Sequence, residues 1–327
     1  MAEDLPEVVF LGSGAFGLPA LRLLADAGRV ALVVSQPDRP AGRGKRMEPT
    51  PVSAFAEGRG LPLVRPADCN APEVRAAILA AAVAASGRAS RDGRPQPGPA
   101  FVVIAYGQKL SNALLDGMFA VNLHGSVLPR WRGAAPIQRA LMEGDAEAGV
   151  TVISLAERMD AGLVYAVRTL AVGPRQTSGE LHDALSALGP EAIDAVLRAW
   201  TAGTLRGMPQ DESRATRARK LSRDDSWVDC TQPARLVRAR INGLAPWPGC
   251  AVHVAGHPLK VLRAEECGLL VPARDAGTVD ESGVVACGDG FGVRLLEVQP
   301  PNGRAMEWGA WRNGRGLKGL LRVERAP

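Results

Sequence analysis

The 327-residue chain reads as an α/β domain built on a parallel sheet, followed by a small β-barrel domain. Three observations predict this. Residues 8–35 run apolar strand, glycine-rich turn, amphipathic helix and apolar strand, the opening of a parallel sheet. After Gly203 the texture changes to short apolar stretches separated by turns, the pattern of a small barrel. The length suits two domains at about 150 residues each.

Taken in order, Val8–Gly12 is the first strand, Gly12–Gly17 the turn, and Leu18–Ala27 the helix, with Val30–Ser35 the second strand. Gln36–Val52 is polar, basic and rich in Pro and Gly, so it reads as a long loop that cannot pack as helix or strand. Glu73–Ala85 is an alanine-rich helix, and Phe101–Tyr106, Ala120–Leu123 and β-branched Gly149–Ser154 are further strands. The segment Ser86–Ala100 reads as an exposed insertion, with no residues for a core. Ser178–Gly203 reads as a helix that Ser178 caps and Glu180 supports in its first turn. Beyond it, Val252–Val254, Leu259–Ala264, Gly268–Val271, Gly283–Ala286 and Val293–Val298 are barrel strands, and Leu236–Ile241 is a helix among them. The domain boundaries expected are 1–205, a linker at 206–221, and 222–327.

Composition excludes several classes. With 46% apolar and 22% charged residues the chain is neither disordered nor collagen-like. No run of about 18 apolar residues marks a membrane span. The amino terminus is acidic, unlike secretory or organellar leaders, which points to the cytoplasm. Five scattered cysteines form no CxxC pair, so buried thiols are expected rather than a metal site. The net charge of +5 resides entirely in residues 206–327, which hold 19 basic and 14 acidic side chains. That surplus suits a polyanion such as nucleic acid.

Two constellations compete for the chemistry. Gly12-x-Gly14-x-x-Gly17 matches a dinucleotide fingerprint, which would make the chain an NAD-dependent oxidoreductase. The second strand, however, ends in Ser35-Gln36-Pro37, with no acid to hold a ribose, so a tight strand-to-helix turn is the better reading. The stronger constellation is Asn122-Leu-His124. On a strand, residues i and i+2 share a face, and two donors at a strand's carboxyl end make an oxyanion site. A carboxylate should orient such a histidine, and Asp160, after the Val150–Leu155 strand, is expected at the same sheet edge.

Phe10-Leu-Gly12, Gln36-Pro-Asp-Arg-Pro-Ala-Gly-Arg-Gly-Lys45, Asn122-Leu-His-Gly-Ser126, Leu128-Pro-Arg-Trp-Arg-Gly-Ala-Ala-Pro-Ile-Gln138 and Gly149-Val-Thr-Val152 follow one another in order. Lys220-Leu-Ser222 and Pro246-Trp-Pro-Gly249 come after them. Together these blocks resemble the methionyl-tRNA formyltransferase family over nearly the whole chain. The first turn departs from that pattern, reading Gly-Ser-Gly-Ala-Phe where the family usually has Pro-Asp or Pro-Glu before the Phe.

The resemblance implies a Rossmann-like formyl-transfer domain, a linker and an OB-like barrel that binds tRNA. It implies 10-formyltetrahydrofolate as donor, methionyl-initiator-tRNA as acceptor, and no metal. By position it assigns catalysis to Asn122, His124 and Asp160, and the donor site to Ser126, Val127, Leu128 and Pro129. It assigns tRNA contacts to Arg39, Arg43, Lys45 and Arg46. A monomer in bacterial cytoplasm, without membrane association, is the accompanying expectation. Within the family, a small amine acceptor such as a nucleotide sugar or glycinamide ribonucleotide is the runner-up, and a basic loop and extra domain argue against it. A non-catalytic RNA-binding module is disfavoured by the survival of Asn122, His124 and Asp160.

Overall fold

The computed structural model describes residues 5–41, 44, 46–86, 99–271 and 274–325. The chain packs into two compact units, neither of them one continuous stretch. The first comprises Met1–Pro129, Gly149–Thr169 and Asp183–Ala215; the second comprises Arg130–Ala148, Leu170–His182 and Thr216–Pro327.

In the first unit β1 (Val8–Gly12) is buried at every residue, as a central parallel strand must be. A tight turn leads to α1 (Leu18–Asp26), which buries Ala20, Leu21 and Leu24, and then to β2 (Val30–Val34). The expected long loop is in part a hairpin. β3 (Arg39–Ala41) and β4 (Arg46–Glu48) pair antiparallel, Arg39 opposite Glu48 and Ala41 opposite Arg46. The reading that this segment forms no strand is therefore corrected, and Arg43 and Lys45 lie outside the described residues. Next come α2 (Pro51–Gly58), capped by the Thr50 side chain, β5 (Leu63–Val64) and α3 (Pro72–Ser86). Most of the expected insertion, residues 87–98, lies outside the described residues. β6 (Ala100–Ile104), the short α4 (Asn112–Leu115) and β7 (Phe119–His124) follow.

The chain then forms β8 (Arg132–Gly133) and α5 (Pro136–Met142) of the second unit, before β9 (Glu147–Ser154), β10 (Val164–Ala171) and α6 (Ser178–Thr201). The sheet order is β10-β9-β7-β6-β1-β2-β5. β1, β2, β5, β6 and β7 run parallel, and β9 runs antiparallel to β7. Val9, Leu11, Leu32, Val34, Phe101 and Val103 pack with Ile78 and Ala82 of α3 on one side of the sheet. The chain turns back from β5 to lay β6 on the other side of β1, so the switch point lies between β1 and β6. Ligands of open α/β sheets bind at the carboxyl ends beside such a point.

The start of α6 differs from expectation. Thr177, not Ser178, caps it: Glu180 N–H donates to Thr177 Oγ1 at 3.3 Å and Thr177 N–H donates to Glu180 Oε2 at 2.9 Å, a reciprocal capping box. The Ser178 hydroxyl instead donates to the Ala245 carbonyl at 2.6 Å.

In the second unit β8 pairs with β11 (Arg217–Ala218). α7 (Ala234–Leu244) packs against β12 (Cys250–Val254) and β13 (His257–Leu270). Buried Asn242 ties helix to strand, accepting from Ala264 N–H at 2.8 Å and donating to its carbonyl at 3.0 Å. β14 (Thr278–Val279), β15 (Val284–Ala286), β16 (Phe291–Gln299), β17 (Met306–Glu307), α8 (Trp308–Asn313) and β18 (Leu321–Arg325) complete it. The order β13-β12-β18-β14-β15-β16 closes through a β13–β16 pairing, so six strands form a closed barrel with β17 appended to β16. The two apolar stretches expected as separate strands, Leu259–Ala264 and Gly268–Val271, belong largely to one strand, β13.

Candidate active site

Four strand ends meet along one edge of the parallel sheet. After β1, the Ser13 hydroxyl donates to the Tyr106 carbonyl beyond β6 at 3.1 Å and accepts from Gln36 N–H beyond β2 at 3.1 Å. At Gly12 the space beside β1 leaves no room for a side chain. A Cβ there would stand 2.6 Å from the Phe10 ring and 2.9 Å from the Ile104 carbonyl oxygen. The glycine is thus explained by strand packing, without a dinucleotide.

β7 carries Asn122 and His124 on one face, as the period of two requires. Asn122 lies beside Val103 of β6 and opposite Ile153 of β9. His124 is buried at the strand's carboxyl end, opposite Thr151. Its Nδ1 stands 3.6 Å from Asp160 Oδ1, with the two side chains only 7% and 12% exposed. This is ion-pair range, somewhat longer than a direct hydrogen bond. Nδ1 is the ring nitrogen turned to the carboxylate.

The three residues come together by a route the spacing alone did not reveal. Because β9 is antiparallel, Thr151 is opposite His124 and Ser154 is opposite Val121, so β9 ends toward the start of β7. Residues 155–162 then return toward His124. Several contacts hold that return. Gln210 Nε2 donates to the carbonyls of Asp160 and Gly162, each at 2.8 Å. Leu163 N–H donates to Ser154 Oγ at 2.9 Å, and Ser154 N–H donates to the Leu163 carbonyl at 2.9 Å. Asp160 sits at φ +55°, a left-handed conformation that asparagine and aspartate tolerate better than most residues.

The expected donor segment, Ser126–Pro129, continues from β7. Ser126 and Leu128 are buried, Val127 and Pro129 half-buried. Its backbone is fixed by Thr151, a fully buried residue whose hydroxyl donates to the Ser126 carbonyl at 2.6 Å and accepts from Leu128 N–H at 3.2 Å. Thr151 and Gln210 are positioning residues that motif reading missed. A hydroxyl at the centre of an otherwise apolar strand was the available signal for the first; nothing in the sequence marked the second.

Of the basic residues expected to touch RNA, Arg39 and Arg46 lie on the two strands of the hairpin, where Arg39 Nη2 donates to Gln36 Oε1 at 3.0 Å. Among the described residues no cluster of three or more His, Cys, Asp or Glu side chains is arranged to hold a metal ion. All five cysteines are free thiols. Burial pushes the Cys250 thiol up to about 12 and the Cys230 thiol up to about 11. No helix of the described residues is long and apolar enough to cross a membrane.

Residues 8–197 match the family model described as formyl transferase, and residues 220–316 match the formyl transferase C-terminal domain. The chain is 38% identical over 317 residues to a methionyl-tRNA formyltransferase of Halorhodospira halophila, covering 95% of this chain and 96% of that one. It is 40% identical over 300 residues to the methionyl-tRNA formyltransferase of Anaeromyxobacter dehalogenans, covering 89% and 91%. Among solved structures, the methionyl-tRNA formyltransferase from Clostridium thermocellum superposes with a TM-score of 0.52 at 12% identity, over 80% of this chain and 93% of that chain.

Proposed function

The chain belongs to the methionyl-tRNA formyltransferase family, and we propose that Asn122, His124 and Asp160 carry its reaction. The enzyme transfers the formyl group of 10-formyltetrahydrofolate to the free amine of methionyl-tRNA. The amine attacks the formyl carbon, and a tetrahedral intermediate forms with negative charge on the former carbonyl oxygen. The Asn122 amide and the His124 ring N–H donate to that oxygen. Each such donor is typically worth about 3 kcal/mol in the transition state. Asp160 orients the His124 ring and, directly or through water, accepts the proton the amine sheds. The intermediate collapses as the bond to the folate N10 breaks and the proton held by Asp160 passes, directly or through water, to that nitrogen, leaving tetrahydrofolate and the formylated aminoacyl-tRNA.

The observation that carries this assignment is the convergence of the three side chains. Asn122 and His124 share a strand face, and a nearly buried Asp160 lies 3.6 Å from His124 although 36 residues separate them in sequence. The folate is read as lying along Ser126–Pro129, with Thr151 fixing that backbone. Catalysis is assigned to residues 1–205, and tRNA binding to residues 222–327 together with Arg39, Arg43, Lys45 and Arg46. The acceptor is read as the initiator tRNA, and the enzyme as a monomer of bacterial cytoplasm.

The test is kinetic. Asn122→Ala and Asp160→Ala should each lose roughly 100-fold or more in kcat, with the circular dichroism spectrum and urea midpoint retained. Near-normal turnover in either variant removes that residue from the mechanism.

A further inference from the structure

Trp247 lies in the Pro246-Trp-Pro-Gly249 block, which the catalytic reading leaves without a role. Residues 241–250 are buried except for Pro246 and Trp247, and the indole is 54% exposed. The loop that displays it is tied down along its length. Gly249 N–H donates to the Leu244 carbonyl at 2.8 Å. The Ala245 carbonyl accepts from Ser178 Oγ at 2.6 Å and from Gly179 N–H at 3.2 Å. The Pro248 carbonyl accepts from Lys260 Nζ at 2.9 Å. Pro246 fits so closely against Gly179 that a Cβ there would stand 2.9 Å from its Cδ.

An indole on a flexible loop folds back onto apolar surface. This one is held out of the core between two prolines by a backbone that four hydrogen bonds immobilise, so the cost of ordering a binding group is already met in the free protein. Among the described residues one of the three Lys260 ammonium N–H donors is committed, and the side chain is exposed. A flat aromatic face beside a cation complements a nucleotide, a base for the ring and a phosphate for the charge. The chain's whole net positive charge lies in residues 206–327, which include both groups. A protein partner would call for a continuous apolar patch, whereas here a lysine ammonium is bound to the carbonyl of Pro248, the residue after the indole.

We propose that Trp247 is a stacking platform for an unpaired base of the methionyl-tRNA substrate, and that Lys260 engages an adjoining phosphate. This deepens the functional reading above and rests on it. The experiment measures binding of methionyl-tRNA by fluorescence anisotropy over a range of salt concentrations, with formylation kinetics, for wild type, Trp247→Ala, Trp247→Phe and Lys260→Ala.

Trp247→Ala should raise Kd and KM for tRNA about 5- to 150-fold, the span of one base stacked on an aromatic ring. Its kcat, its KM for the folate donor and its salt slope should be unchanged, because stacking releases no counterions. Trp247→Phe should recover most of the loss. Lys260→Ala should instead flatten the salt slope by about 0.7–0.9, the increment that neutralising a single phosphate supplies. A Trp247→Ala variant that binds tRNA like wild type overturns the proposal. So does a weakening that phenylalanine fails to restore, since that marks a structural role. Wild-type enzyme unable to formylate methionyl-tRNA brings down the functional reading instead, and this inference with it.

Discussion

Gly162→Ala isolates the loop that brings Asp160 to His124. A Cβ at Gly162 would stand 1.8 Å from the Ser154 carbonyl oxygen and 2.7 Å from Ser154 Oγ. The floor for such contacts is 3.0 Å, so the two backbones have to separate by about 1.2 Å. The obstructing atom is the backbone oxygen of a sheet strand, so the loop must move rather than β9. Two hydrogen bonds join Ser154 to Leu163. Losing both costs about 2 kcal/mol at roughly 1 kcal/mol each. The same displacement carries Asp160, two residues upstream, away from its 3.6 Å separation from His124. Misplacement of a reacting group by about 1 Å can cost about 100-fold. The expected result is a variant that folds, with a urea midpoint lowered in proportion to about 2 kcal/mol and kcat reduced 10- to 100-fold. KM for the folate donor should change little, since Ser126–Pro129 is anchored separately through Thr151. Steady-state formylation at saturating substrates measures kcat, and urea titration measures the fold. A stable variant with wild-type kcat would show that the position of Asp160 does not govern the chemistry.

Other outcomes test neighbouring parts of the argument. Thr151→Val removes one hydroxyl that serves both Ser126 and Leu128; KM for the folate donor should rise several-fold while KM for tRNA holds, read from the two substrate titrations. Gly243→Ala places a Cβ 2.5 Å from Met142 Cγ and 3.0 Å from Met142 N, an overpacking that should cost about 1–3 kcal/mol in urea denaturation. The hydrogen bonds from Arg263 hold the Glu180 carboxyl well below the usual carboxylate range, at about 2, against the smaller opposing effect of burial. A carboxylate with a lowered folded-state pKa stabilises the fold above its unfolded value and loses that contribution as pH falls through the folded one. Stability should therefore drop between about pH 4.5 and pH 2. The Glu180 side chain is 49% exposed, so solvent screening limits the effect to about 1 kcal/mol. Glu180→Gln should flatten that part of the pH–stability curve, and an unchanged slope would refute the assignment.

The parts of this fold that could be read in advance were those where one physical signal dominates. Val8–Gly12 and Ala100–Ile104 are uninterrupted apolar runs because both faces of a parallel strand are buried. Asn122 and His124 announced a shared face through their spacing. Strand direction leaves no such mark. Gly149–Ser154 reads as a strand in either orientation, and the antiparallel setting of β9 changed the path by which Asp160 arrives without changing its neighbour. The hairpin at Arg39–Glu48 was invisible because its strands bury nothing periodic and pair only with each other. β13 looked like two strands because Glu265, Glu266 and Gly268 interrupt its apolar pattern, yet its ladder with β16 continues through the first two and resumes at Leu270. Ser178 and Thr177 are both capping residues by composition, serine the better of the two, and the backbone geometry chose the threonine.

The position of β18 has a consequence for how the protein is made. This last strand lies between β12 and β14, with Val252 opposite Arg325 on one side and Val279 opposite Leu321 on the other. The ring cannot close until residues 321–325 have left the ribosome. Until then β12 and β14 each present an unpaired edge, the kind of surface that recruits foreign strands. Closure joins segments some 70 residues apart in sequence, and pairings of that separation form slowly. A nascent chain stalled before Leu321 would carry the strands of the parallel sheet and an open barrel. The pairing of those two edges waits for β18.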